Sequence, residues 1–130
     1  MLKFRHVPVA LCAMTLIAAT HPPLTGEWGG DRARLMLTAD GGRIDYDCGS
    51  GTIKGALRLD AKGRFKANGN HEEYSQGPVS GDATPKLRST LYRGSLSGDT
   101  LTLVVQISGQ PKPRTLTLVR GKRVKLIRCF

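Results

Sequence analysis

The chain predicts an exported all-β protein: an eight-stranded antiparallel up-and-down meander closed into a small barrel, preceded by a signal peptide. Three observations carry that expectation. Apolar residues alternate with polar ones at a period of two, glycine-rich turn signals separate the alternating runs, and an apolar segment follows a basic N-terminus.

The leader comes first. Lys3 and Arg5 lie in the opening six residues, and Val7 to Ala19 form an apolar run that ends in Ala18-Ala19-Thr20. This is the layout of a secretory signal peptide over residues 1–20, cleaved after Ala19 or Thr20, with a single domain over 21–130. The run is shorter than the about 20 residues that a spanning helix needs, so no transmembrane segment is expected in the mature chain. A lipoprotein anchor would require Cys12 to close the run, whereas Leu11 precedes it and the run continues. The expected destination is periplasmic or extracellular.

Cleavage removes Cys12 and leaves Cys48 and Cys129. An oxidising compartment favours a disulfide between them, with Cα atoms about 4.4 to 6.8 Å apart. Closing a loop of about 80 residues restricts the unfolded chain by roughly 4 to 5 kcal/mol in the loop-entropy description. Two buried thiols are the alternative. Only His21 and His71 accompany the cysteines in the mature chain, and no grouping has zinc-site spacing, so neither a metal nor a cofactor is expected.

The strands follow in order. Ala33, Leu35, Leu37 and Ala39 share one face of the first run, Ile44, Tyr46 and Cys48 one face of the next, and Leu101, Leu103, Val105 and Ile107 one face of a late one. Asp40-Gly41-Gly42, Gly49-Ser50-Gly51, Asp60 to Gly63, Ser97-Gly98-Asp99, Gly109 to Pro113 and Gly121-Lys122 supply the turns. Strands are expected over 26–39, 43–48, 52–59, 64–74, 87–96, 100–108, 114–120 and 123–129. Only Ser75 to Lys86 approaches the length of a parallel crossover, so the sheet is antiparallel. Closure removes both exposed edges, and the disulfide would staple the second strand to the last.

Gly26-Glu27-Trp28, opening an alternating strand ahead of a meander, resembles the calycin group, the lipocalin and avidin-like barrels. The resemblance implies that Trp28 packs across the closed end beside an arginine from a late strand: Arg120, Arg123 or Arg128. The chain is also similar to uncharacterised small secreted bacterial proteins that share Gly-Glu-Trp-Gly-Gly, Tyr-Asp-Cys-Gly-x-Gly-x-Ile, Asp-x-x-Gly-Arg-Phe, Tyr-x-Gly-x-Leu-x-Gly-Asp and a cysteine near the C-terminus. That likeness spans nearly the whole mature chain and supports the disulfide. Both resemblances imply a fold and not a chemistry.

Catalytic groups are not evident. Asp45 and Asp47 lie two apart, and His71 stands beside Glu72 and Glu73, but a solvated strand face and a polar loop account for them. Gly94 to Gly98 has leucine where a nucleophile elbow needs serine, and Cys48 to Gly51 lacks the Gly-Lys ending of a phosphate loop. No enzyme is expected.

Charge is the most unusual feature. From Pro23 to Pro85 eight basic residues meet nine acidic ones, whereas from Lys86 onward ten basic residues face Asp99 alone. Lys112, Arg114, Arg120, Lys122, Arg123, Lys125 and Arg128 would concentrate positive potential on two adjacent strands, or would merely keep the sheet soluble and its edges unsociable. Nucleic acid is disfavoured, because no aromatic residues interleave with the cations. The function expected is binding by a monomer, of a small apolar ligand in the barrel or of an anionic surface on the basic strands. The alternative is a protein-binding module, such as an inhibitor of an extracytoplasmic enzyme, using the segment from Gly69 to Lys86.

Overall fold

The structure, a computed structural model, describes residues 3, 8–12, 21–73 and 87–127. Its strands are β1 (Gly26–Gly30), β2 (Ala33–Thr38), β3 (Gly41–Tyr46), β4 (Gly49–Lys54), β5 (Arg64–Glu73), β6 (Leu87–Ser97), β7 (Thr100–Ile107) and β8 (Arg114–Arg120). Each pairs antiparallel with its neighbours in sequence, and β8 returns to pair with β1, so the meander closes into a barrel. The alternation is realised in β2, where Ala33, Leu35 and Leu37 are buried and Arg34, Met36 and Thr38 are exposed.

Three of the expected strand limits are corrected. The segment 26–39 is two strands, because Asp31 and Arg32 both take left-handed φ values, 48° and 59°, and form a two-residue hairpin turn between Gly30 and Ala33. The segment 52–59 stays in the ladder only to Lys54; Gly55, at φ 79°, turns the chain out. Leu57 then caps one end of the barrel with Leu24, whose N–H donates to the Leu57 carbonyl at 2.7 Å. The segment 123–129 forms no strand over its described part, 123–127. Cys48 accordingly lies not at the end of a second strand but in the turn between β3 and β4.

Closure falls instead to β1 and β8. Trp28 pairs with Arg120 and Gly29 with Val119. The Asp31 carboxylate extends this short seam by accepting the Thr117 N–H at 2.6 Å. Beyond β8, Gly121 donates to the Glu27 carbonyl at 2.7 Å, and the chain becomes a strap outside the barrel. It covers Gly29, where a Cβ would collide with the Lys122 carbonyl and with Val124. It then reaches the β3–β4 turn, where Ile127 donates its N–H to Asp47 at 2.6 Å. Cys129, two residues further on, lies outside the described residues, and so do residues 13–20 around the expected cleavage point.

The interior is packed through a pairing of rings with glycines. Tyr92 is fully buried and lies where a side chain on Gly51 or Gly69 would sit, and Phe65 fills the space beside its cross-strand partner Gly94. The Tyr92 hydroxyl donates to the Asn70 carbonyl at 3.2 Å, and burial pushes its phenol up to about 12. Trp28, Leu35, Ile44, Leu103 and Leu118 are all 0 % exposed.

Candidate functional site

The two ends of the barrel differ in chemistry, because inward positions near one end carry apolar side chains and near the other polar ones. At the closed end Trp28 is fully buried, and the Arg120 guanidinium lies 4.3 Å from its ring centroid. Arg120 is fixed there a second time by Asp99, 3.2 Å away. Of the three arginines expected beside Trp28, Arg120 takes that position; Arg123 lies on the strap, and Arg128 lies outside the described residues.

The opposite end is a polar mouth. Tyr46 ends β3, His71 lies near the end of β5, and Arg114 begins β8, so all three reach the rim from strand termini. They share a cavity of about 330 Å³ with Asp47, Cys48, Gly49, Glu73, Ile107 and Gln110. The Tyr46 and His71 ring centroids are 5.7 Å apart, and the Arg114 guanidinium sits 4.7 Å over the Tyr46 ring. Gly49 leaves ordinary contact space for the imidazole.

Two groups at this mouth are buried without a hydrogen-bond partner: the Tyr46 hydroxyl and His71 Nδ1. Leaving such a group unsatisfied costs about 1–3 kcal/mol. Burial, with Tyr92 adding to it, pushes the Tyr46 phenol well above its ordinary value against the pull of Arg114, so the hydroxyl keeps its proton. Burial also holds the His71 imidazole below its ordinary value; Glu73 opposes this, and Arg114 and Arg88 reinforce it. The ring is therefore neutral near pH 7. Its Nε2 stands 3.9 Å from Glu73, beyond hydrogen-bond reach.

The expected polar loop around His71 is thereby corrected. Phe65, Gly69 and His71 are buried on one face of β5, while Arg64, Lys66 and Asn68 are exposed. The signal was present in the sequence, since His71 has the same parity as Phe65. Asp45 remains at the surface, paired with Arg43 at 3.0 Å. Asp47 belongs to a turn, where the Ile127 N–H first and Arg32 second hold its carboxyl below the usual range. Among the described residues no three His, Cys, Asp or Glu side chains are grouped to hold a metal, and no helix is long and apolar enough to cross a membrane.

Among the described residues the basic side chains do not form a two-strand stripe. Arg114 is at the mouth and Arg120 at the closed end, while Lys112 is exposed in the β7–β8 loop. Lys122, Arg123 and Lys125 are exposed on the strap, where none pairs with a carboxylate among the described residues. With Arg34 and Glu27, Lys122 and Arg123 line a cleft of about 340 Å³. Glu27 is already engaged by Arg34 at 2.6 Å.

These features define an eight-stranded antiparallel barrel, closed at one end and polar at the other, compatible with a calycin-like fold. Comparison with family models, curated proteins and solved structures finds no significant match.

Proposed function

We propose that this is an exported, non-enzymatic binding protein of calycin-like type that engages anionic surfaces through its C-terminal strap. The observation that supports the reading is the run Lys122, Arg123 and Lys125, which presents three exposed cations within four residues while the adjacent Glu27 is engaged by Arg34. An exposed cation attracts an anionic membrane surface by about 1 kcal/mol, so three acting together favour binding by roughly a hundredfold at low salt. The apolar-ligand reading has less support, since large side chains such as Trp28, Tyr92, Leu35 and Leu103 occupy the barrel interior. The non-enzymatic reading is supported at His71, whose Nε2 stands 3.9 Å from Glu73, outside the hydrogen-bond reach that a proton-transfer pair needs.

The test is sedimentation with vesicles of phosphatidylglycerol and phosphatidylcholine. Binding is expected to rise with the anionic fraction, to fall steeply with added salt, and to drop about a hundredfold in K122Q/R123Q/K125Q. Equal binding to neutral vesicles would remove the proposal.

Export also favours the Cys48–Cys129 disulfide, and the hydrogen bond from Ile127 to Asp47 supports it by holding the strap beside Cys48. Non-reducing peptide mapping of protein secreted by its own host is expected to recover a linked pair of peptides carrying these two residues. Two free thiols would refute the staple.

A further inference from the structure

We propose that the barrel mouth is a binding site for a small organic carboxylate, held by the Tyr46 hydroxyl, the Arg114 guanidinium and His71. The site is separate from the strap and does not depend on its reading. Tyr46 is 5 % exposed and His71 7 % exposed, yet the phenol oxygen and Nδ1 have no partner. Folded proteins rarely leave such atoms unsatisfied, so two of them, on side chains that line one cavity, point to a second molecule that completes the hydrogen bonding.

Charge selects the kind of molecule. Arg114 lies over the Tyr46 ring and pairs with no carboxylate among the described residues. A guanidinium over a ring keeps N–H groups for a planar, two-oxygen acceptor, which is the geometry of a carboxylate. Arg88 stands opposite His71 in the β5–β6 register and adds a second positive charge near the imidazole. The acids of the mouth limit the ligand's charge. Asp47 is engaged by Arg32 and by the Ile127 N–H, and Glu73, half exposed beside His71, keeps a negative charge on the rim. A carboxylate monoanion meets about half the repulsion from Glu73 that a phosphate dianion does. The volume of about 330 Å³ lies at the small end of ligand cavities.

The experiment is a titration of the full-length protein with sodium acetate and with sodium benzoate, at constant ionic strength set by sodium chloride. It is followed by the nitrogen resonances of the His71 ring. A saturable shift with at least one carboxylate is expected. Tyr46→Phe, which keeps the ring under Arg114, is expected to weaken that binding by about tenfold, and Arg114→Gln to abolish it. In the ligand-free protein Tyr46→Phe is expected to leave the melting temperature unchanged or raise it, because it removes a buried hydroxyl that has no partner. The proposal fails if neither carboxylate saturates, if sodium phosphate displaces the carboxylate at lower concentration, or if Tyr46→Phe binds as tightly as the parent. Should Arg114→Gln not fold, the Tyr46→Phe comparison decides alone.

Discussion

Trp28→Ala is expected to lower the stability of the barrel by about 4 kcal/mol, enough to leave a marginal domain largely unfolded. Trp28 is fully buried at the closed end and sits in the register that joins β1 to β8. That seam is the shortest in the barrel, with only two paired positions beside the backbone bond from Gly121 to Glu27 and the side-chain bond to Asp31. Removing the indole opens a cavity beneath the seam and takes away the ring on which Arg120 lies. Arg120→Ala keeps the indole and loses only the cation–π contact and an exposed ion pair, so its expected cost is about 1 kcal/mol. Urea denaturation followed by far-ultraviolet circular dichroism measures both. Near-equal costs would show that the guanidinium, rather than the buried ring, holds the seam.

Gly69→Ala is expected to destabilise by about 3 kcal/mol, at the upper end of overpacking effects. A Cβ at this position would run into the Thr52 carbonyl on β4 and the buried Tyr92 ring. The carbonyl belongs to the β4–β5 ladder and the ring spans the interior, so neither can withdraw at low cost. Gly55→Ala provides the control. It meets nothing within 4 Å but must hold φ at 79°, a conformation that costs a residue with a Cβ about 1 kcal/mol. Thermal unfolding of the two variants should therefore differ by roughly 10 °C for a domain of this size. Similar melting temperatures would mean that Tyr92 repacks freely, which would contradict the close pairing of rings and glycines described for this core.

The two candidate surfaces were only partly legible in the sequence. The number of cations after Lys86 is a property of composition, but their grouping is not. Gly121 turns the chain off the sheet, so Lys122, Arg123 and Lys125 lie on a strap instead of in a ladder with Arg114 and Arg120. The mouth was harder to see. His71 follows the inward parity of Phe65 and Gly69, yet its place beside Glu72 and Glu73 suggests a solvated loop. Burial of that histidine follows from closure of the barrel over it, which brings Tyr46 and Arg114 from strands distant in sequence.

By itself the sequence determined the fold class and the antiparallel order, because side-chain alternation and turn residues are local properties read within a few positions. The count of eight agrees because the undivided run 26–39 and the surplus strand at 123–129 offset each other. Tertiary structure alone decided how the barrel closes. The left-handed turn at Asp31-Arg32 divides the first run and frees β1 to meet β8, and the segment after Gly121 then becomes a strap. The physical reason is that a two-residue turn and a change of direction at one glycine each involve a few kcal/mol or less of local preference. Pairing of the terminal strands and burial of Trp28 outweigh that preference only once the whole barrel is assembled.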